Sequence, residues 1–362
     1  MVRWRALALF LVILPHLAPP TALIVIGPAK TVDTAHPIVG VHTRLSDEVE
    51  EWKIQRSLQM VREMGAPWIV EFFPWAYIEP FREGEFTWSH ADMVIQHAVA
   101  QGLTVVARLG TAPEWARPDP AQMLTTWNYL DGEGYADFAA FVGTFVARYR
   151  GQVNHVIIWN EPNLSFEWGF RPVDPEGYTT LLAAAFDAAK LANPEIVVLG
   201  GALAPTLEPE GSAAGLNDLL FLERMYQAGA GQHMDGLAVH AYGWAFAPDD
   251  PPAPDVINFR RVELVREIMH RYGDSEKSVF VTEAGWNDHP RWTRSVRPGQ
   301  RILYTVGAFE YAEANWPWAP VIAIWAFRFP GPQGSYMDYY SFVTPEFSPR
   351  PVYYAVQQYT QP

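Results

Sequence analysis

Two glutamates end apolar stretches of the chain in a way that core packing alone does not explain. Glu161 follows the run VNHVIIWN and precedes a proline, and Glu283 follows SVFVT. A carboxylate at the end of a hydrophobic run needs a charged partner or a chemical role, because an isolated buried charge is costly. Two carboxyl groups that flank one bond, one protonated and one ionised, are what glycosidic bond cleavage requires. The first question is therefore whether the fold brings these glutamates together.

The segments around the two glutamates predict a parallel barrel. From residue 38 onward, runs rich in valine and isoleucine alternate with longer segments of helical period, as in parallel strands wrapped by helices. The runs are continuously hydrophobic, which is expected of strands covered on both faces. The predicted strands span 38–44, 68–75, 103–110, 153–161, 195–201, 234–242, 278–286 and 320–328. Eight such units predict an α/β fold, a single (β/α)8 TIM barrel with enlarged loops at its C-terminal face.

The helix boundaries carry their own signals. Ser46 is a candidate cap for a first helix that Gly65 would end, and Ser89 is a candidate start for a later helix. Asp174 followed by Pro175 predicts another helix start, because proline at the first helical position loses an amide that would be unpaired anyway. No linker or change of composition marks a second domain, so residues 36–362 are predicted to form one catalytic barrel.

The active site of such a barrel lies at the C-terminal ends of its strands. Glu161 ends the fourth predicted strand and Glu283 the seventh, so both carboxylates should converge on the barrel mouth. The other polar or aromatic residues near strand ends are His42, Arg44, Glu71, Trp75, Arg108, Asn160, His240, Tyr242, Trp325 and Arg328.

The two motifs together resemble those of clan A retaining glycoside hydrolases. In that clan an Asn-Glu pair ends the fourth strand and a glutamate ends the seventh. The resemblance implies that Glu161 is the acid/base, that Glu283 is the nucleophile and that Asn160 binds the 2-hydroxyl of the sugar. Within the clan, residues 75–88, with IEP and GEFTW, and the following DMVIQHAVAQGL are most similar to family 39 and its relatives.

The same resemblance extends to the sixth and eighth strands. The sequence HAY at 240–242 implies that Tyr242 hydrogen-bonds the nucleophile and that His240 lines the sugar subsite. Trp325, within AIWAF, matches the tryptophan that forms the floor of the subsite before the scissile bond. The alternative for both glutamates is a buried ion pair with an arginine such as Arg108. Agreement in residue type, strand number and order favours catalysis.

Further substrate contacts are expected at the barrel mouth. Tryptophans follow several predicted strands, and flat apolar rings there can stack on sugars; Trp115 and Trp286 are predicted to do so, although packing is the default role of tryptophan. His42 and Arg108 are predicted substrate contacts as well, with a structural role as the alternative. No metal is expected, because His90 and His97 lack a third ligand nearby in the sequence.

Composition excludes several classes of protein. The chain has 362 residues, 49% of them hydrophobic and 18% charged, so it can bury a large core. A formal net charge of -14 argues against binding nucleic acid, which needs clustered lysine and arginine. The absence of cysteine excludes a disulfide, a thiolate nucleophile and an acylated lipoprotein anchor.

The N-terminus predicts export. Arg3 and Arg5 precede ALALFLVIL, which fits the charged and apolar regions of a secretory signal peptide. Residues 1–29 are therefore predicted to be a signal peptide, with cleavage after Ala22 or Ala29, or else a membrane anchor through residues 6–26. The expected location is outside the cell or in the cell envelope.

The sequence thus predicts a secreted retaining glycosidase of carbohydrate metabolism. We expect it to cleave the O-glycosidic bonds of a saccharide or polysaccharide by double displacement, with β-linked bonds as the favoured substrate. No cofactor and no protein partner are implied. Two alternatives stay open. One is a transglycosylase, which differs in whether a sugar or water reaches the intermediate, and the other is a non-catalytic carbohydrate-binding barrel of the cell envelope.

Overall fold

The computed structural model describes residues 28–119, 121 and 123–362. Eight parallel strands hydrogen-bond to one another in chain order, and β8 pairs with β1 to close a barrel. The strands are β1 Val39–His42, β2 Trp68–Pro74, β3 Thr104–Gly110, β4 His155–Ile158, β5 Val197–Leu203, β6 Gly236–Tyr242, β7 Ser278–Gly285 and β8 Ile322–Trp325. The predicted TIM barrel is confirmed.

Each strand is followed by a helix before the next strand begins. The helices are α1 Glu51–Glu63, α2 Trp75–Ile78, α3 Ser89–Ala100, α4 Tyr135–Arg148, α5 Pro175–Ala192, α6 Asp218–Gln227, α7 Val262–Arg271, α8 Pro298–Asn315 and α9 Pro351–Thr360. The short helix α2 and the longer α3 both follow β2. Long loops follow β3, β4, β6 and β8, so the C-terminal face of the barrel is the elaborated one.

The core has two layers, and their positions explain the continuously apolar strands. A small inner cluster contains one or two residues from each of seven strands, such as Val106, Ile157 and Phe280. A much larger cluster includes the strand residues that alternate with these and the inward faces of the helices. Because both faces of every strand are covered, hydrophobic residues fill successive positions.

The helix starts show where local signals decide the structure and where they do not. The Asp174 side chain accepts a hydrogen bond from the Gly177 amide at 2.8 Å, as predicted for the start of α5. The prediction that Ser46 caps the first helix is wrong, because α1 begins at Glu51. The amide of Ser46 donates instead to the buried carboxylate of Glu71, in the neighbouring strand, at 3.0 Å. A contact with the adjacent strand therefore overrides the local capping signal.

The predicted N-terminal segment cannot be placed in this fold. Residues 1–27 lie outside the described part of the chain. Among the residues that are described, no helix combines the length and the hydrophobicity needed to cross a bilayer.

Candidate active site

The backbone beyond β4 places Glu161 at the barrel mouth through two unusual conformations. Trp159 has φ of 74° and Glu161 has φ of 40°, both in the left-handed region that non-glycine residues seldom adopt. The surroundings hold them there: the Trp159 amide donates to the carbonyl of Leu109 at 2.7 Å, and the Glu161 amide donates to the carbonyl of Ala202 at 2.8 Å. Such conformations persist where neighbouring structure over-determines them, and they concentrate at functional sites.

The pairing of β6 with β7 brings Glu283 to the same place. His240 of β6 pairs with Glu283 of β7, just past a shift of register between Val239 and His240. The Nδ1 atom of His240 lies 2.7 Å from Oε1 of Glu161. A carboxylate oxygen of Glu161, one of Glu283 and a ring nitrogen of His240 all lie within 4.8 Å of one another. The structure thus brings the two predicted glutamates together across the mouth.

Glu283 is surrounded by donors. Arg108 donates to its Oε1 at 2.7 Å, and the Tyr242 hydroxyl donates to its Oε2 at 2.7 Å. The Nε2 atom of His42 lies 3.4 Å from Oε1. Hydrogen bonds from charged or strongly polar donors stabilise the ionised form of a carboxyl group. The arrangement therefore keeps Glu283 as a carboxylate.

Burial and the neighbouring charges act in opposite directions on the pKa of Glu283. Burial alone would raise the pKa of Glu283, but the positive charges of His240, His42 and Arg108 outweigh it and lower that pKa to about 2. Burial lowers the pKa of His42 to about 3, so this ring is neutral at pH 7. At neutral pH the stabilising charges are thus Arg108 throughout and His240 whenever its ring is protonated.

His240 and Tyr242 also have displaced pKa values. Burial would lower the pKa of His240, but the negative charges of Glu283 and Glu161 prevail and raise it. Burial and the charge of Glu283 raise the pKa of Tyr242 well above its usual value, so its hydroxyl stays protonated and can donate. Tyr242 thus makes the contact that the sequence resemblance implies, whereas His240 lies directly against the proposed acid/base.

Arg108 links Glu283 to Asn160. Its Nη1 atom donates to the side-chain oxygen of Asn160 at 2.8 Å as well as to Glu283, and its guanidinium lies 5.0 Å from the centre of the Phe72 ring. Arg108, Phe72 and Asn160 line a cavity of about 220 Å³ beside the two glutamates. Arg108 is therefore both a partner of Glu283 and part of a wall that a ligand can reach.

A third carboxylate, Glu167, lines the same cavity and was not predicted from the sequence. Burial, reinforced by the negative charge of Glu161, raises the pKa of Glu167 to about 7. Asn128, from the loop after β3, donates to its Oε2 at 3.1 Å. One signal could have indicated it, since Glu167 is an acidic residue in the same β-to-α loop as Glu161.

Trp325, the predicted floor of the subsite, lies in an aromatic cluster next to Tyr242. Its ring packs edge-on against Tyr340 at 5.4 Å, and Tyr340 packs against Tyr242 at 5.6 Å. The indole is 5% exposed. The cluster adjoins Glu283 through Tyr242, so its placement is compatible with the predicted contact to a sugar, which stays a prediction.

Three of the predicted substrate contacts have other surroundings. The prediction is wrong for Trp286, which is 1% exposed and donates its Nε1 hydrogen to the carbonyl of Phe246 at 2.7 Å. His42 is completely buried, so it contacts Glu283 and not substrate. Trp115 is half-buried, packs edge-on against Trp75 at 5.4 Å and donates to the carbonyl of Glu79, so its contact with substrate stays a prediction.

The spacing of Glu161, His240 and Glu283 is also within the range of a metal site. The oxygens of Glu283, however, already accept hydrogen bonds from Arg108 and Tyr242. A guanidinium at 2.7 Å thus already places a positive charge beside Glu283.

Solved structures of glycoside hydrolases have the same barrel. A family 39 glycoside hydrolase from Bacteroides cellulosilyticus aligns with a TM-score of 0.71 and 21% identity, over 92% of this chain and 65% of that one. The chain shares its fold with this enzyme. A monomeric beta-xylosidase from Caulobacter crescentus gives a TM-score of 0.65 at 17% identity, over 91% of this chain and 69% of that one. A GH5 protein from Streptomyces cattleya, solved in complex with GlcNAc, gives 0.66 at 15% identity, over 90% and 80%.

These similarities are structural. No protein-family model matches the chain, and no curated protein matches its sequence. The chain spans 65% of the length of the family 39 enzyme from Bacteroides. The predicted resemblance in fold is confirmed. Because one fold can carry many activities, the activity has to be inferred from the residues of the site.

Proposed function

We propose that this protein is a retaining glycoside hydrolase that cleaves β-linked O-glycosidic bonds by double displacement. The proposal rests on the short distance between Glu161 and Glu283. A carboxylate oxygen of one lies within 4.8 Å of a carboxylate oxygen of the other, across the barrel mouth. Retaining enzymes hold their carboxyl groups about 5 to 5.5 Å apart, whereas inverting enzymes leave about 6.5 to 9.5 Å for a water molecule. The close approach favours retention.

The surroundings of the two glutamates support different roles. Glu283 accepts hydrogen bonds from Arg108 and Tyr242 and has a pKa lowered to about 2, so it is ionised and suited to nucleophilic attack. The Glu161 carboxyl group has one side-chain partner among the described residues, the His240 ring, and is more exposed than Glu283. It is therefore free to face a leaving group and to exchange a proton with it.

The reaction then proceeds in two balanced steps. In the first, an oxygen of Glu283 forms a bond to the anomeric carbon while the bond from that carbon to the leaving oxygen breaks, and Glu161 gives its proton to that oxygen. In the second, Glu161 takes a proton from water, the water oxygen attacks the anomeric carbon, and Glu283 departs as a carboxylate. If a sugar hydroxyl replaces water, the same site acts as a transglycosylase.

The names of the structural neighbours indicate which sugars to test first. One of them is described as a beta-xylosidase and another as an endo-beta-1,4-xylanase. We therefore take p-nitrophenyl β-xyloside as the first aryl glycoside to test, followed by the corresponding glucoside, galactoside and mannoside.

The N-terminal motif supports an exported enzyme. Mass spectrometry of the mature protein tests this, because it determines the residue at which the mature chain starts.

The roles are tested by replacing each glutamate separately. Glu283→Ala is expected to abolish hydrolysis of every aryl glycoside, because no covalent intermediate forms. Glu161→Ala removes proton transfer, a contribution of about 10² to 10⁴-fold, so a glycoside with a good leaving group should still react in the first step. Azide, which needs no general base, should then speed the second step and yield a β-glycosyl azide.

A matched control and two contrary outcomes complete the experiment. Glu71→Gln neutralises another buried carboxylate, one that binds the Leu45 and Ser46 amides outside the site, and should leave the azide response unchanged. If azide rescues only the Glu283 variant, giving the inverted product, while the Glu161 variant ignores the leaving group, the roles are wrong. If the wild-type protein binds saccharides but turns over none, it is a carbohydrate-binding barrel.

A further inference from the structure

A groove leads away from the two glutamates on the side of β3 and β4. The cavity of about 220 Å³ beside Asn160 adjoins a second one of about 600 Å³, and the two share Thr111 and Asn128 in their walls. The second cavity lies within the range of about 300 to 1,000 Å³ that is usual for sites of drug-sized ligands. The room beyond the reaction centre therefore exceeds what one small leaving group needs.

Trp127 offers a flat apolar surface in the outer cavity. It is 52% exposed and lines this cavity. Its place is nevertheless fixed, because its carbonyl accepts a hydrogen bond from the Ala112 amide at 2.6 Å, and Tyr77 packs edge-on against its ring at 5.6 Å. An exposed, immobilised indole is suited to stacking on the apolar face of a sugar ring.

Polar groups line the junction between the two cavities. Asn128 donates to Glu167 at 3.1 Å and so connects the loops after β3 and β4. Thr111 has φ of 62°, a conformation that is rare for a β-branched residue, and it adjoins both cavities. Amide, hydroxyl and carboxyl groups around an aromatic platform match the alternating polar edges and apolar faces of a saccharide.

We propose that this groove, from Asn160 past Glu167 to Trp127, binds a saccharide chain that continues beyond the cleaved bond, so the natural substrate is an oligosaccharide or polysaccharide. The inference rests on the proposed glycosidase activity. Trp127 supplies a sugar platform remote from the reaction, and Glu167 and Asn128 bind hydroxyl groups between that platform and the glutamates. Longer substrates then gain binding energy that an aryl glycoside cannot use.

The test compares substrates of increasing length. The probes are β-1,4-xylo-, cello- and manno-oligosaccharides of two to six units, together with the p-nitrophenyl glycoside of each sugar. In the series that is hydrolysed, kcat/KM should rise at least tenfold between two and five units. Trp127→Ala should reduce the ratio of kcat/KM for the pentasaccharide to that for the aryl glycoside by about tenfold, equivalent to about 1.4 kcal/mol.

Trp52→Ala is the matched control, because Trp52 is equally exposed at 55% but packs against Phe347, in the loop after β8, away from the groove. It should leave the ratio unchanged. If kcat/KM does not depend on chain length, if only aryl glycosides are hydrolysed, or if both tryptophan variants change the ratio equally, the groove proposal is wrong while the glycosidase activity stands. If no glycoside of any length is hydrolysed, the proposed function itself fails.

Discussion

Replacing Arg108 by methionine removes the positive charge that lies 2.7 Å from Oε1 of Glu283. Both side chains are nearly buried, so water screens the pair weakly. Methionine has a similar length, and it leaves Tyr242 and the two histidines around the carboxylate in place. The variant therefore tests how far one guanidinium keeps the proposed nucleophile ionised.

The size of the effect follows from the charge that is lost. At an effective dielectric constant of about 20, two unit charges about 4 Å apart interact by about 4 kcal/mol, or about 3 pKa units. The pKa of Glu283 is about 2 with Arg108 present. Because Tyr242 still donates and some water enters, we expect the pKa to rise by about 2 units, to roughly 4 or slightly higher.

The assay is the pH dependence of kcat/KM, whose acidic limb reports the free enzyme's essential carboxylate. The acidic limb of the wild-type profile should lie well below pH 4, because the pKa of Glu283 is about 2. The Arg108→Met value should already be falling at about pH 4, and below its pKa it should drop about tenfold per pH unit. Arg108→Lys restores the charge and should return the limb towards that of the wild type.

Arg328→Met is the control for structural damage. It breaks another buried ion pair, between Arg328 and Glu48 at 2.9 Å, which does not contact Glu283. Both methionine variants should lower the melting temperature, because an uncompensated buried charge costs about 3 to 5 kcal/mol. If the acidic limb of Arg108→Met coincides with that of Arg328→Met, Arg108 does not set the ionisation of Glu283 and the electrostatic account is refuted.

Three further predictions concern residues in and around the site of the two glutamates. Tyr242→Phe removes the 2.7 Å hydrogen bond to Glu283 and should raise the acidic limb of kcat/KM by about 1 pH unit, since a hydrogen bond to a charged group is worth about 1.5 to 3 kcal/mol. An unchanged pH profile would contradict this. His240→Ala deprives Glu161 of its 2.7 Å partner, so the loss of kcat should be larger for poor leaving groups, which need protonation, than for p-nitrophenol. A loss that is equal for all leaving groups would indicate general disorder of the site. Trp325→Ala should lower kcat/KM by more than its loss of folding stability can explain, and parallel losses in activity and melting temperature would instead mark the indole as a packing residue.

The fold could be predicted because its signal is repeated. Each strand is a short apolar run, and eight of them in alternation with helical segments leave few other architectures. The site could be predicted for a related reason: residues that end parallel strands must meet at one face, so Glu161 and Glu283 converge whatever the loops do. The contact from Tyr242 to Glu283 depends only on neighbouring strands, and the sequence resemblance also indicated it.

What could not be predicted depends on contacts between distant segments. The position of Trp286 after a strand does not say which way its ring points; the ring turns inward, and a Cβ atom at Gly243 would lie 2.1 Å from it. Ser46 has a capping sequence, but its amide is used by Glu71. Glu167 joins the site only because the loop after β4 folds back towards Asn128. Each outcome requires the path of a loop, which local sequence patterns do not encode.

The loop between β3 and α4 has a consequence for how this molecule can change over evolutionary time. It contributes Trp127 and most of the outer groove, yet both its ends are fixed by the barrel, at Gly110 and at Tyr135. The proposed acid and nucleophile lie on other segments. Evolution could therefore change which polymer is bound by replacing this one loop, without changing the proposed catalytic residues. An engineer could likewise transfer the loop between related barrels to change which polymer is degraded.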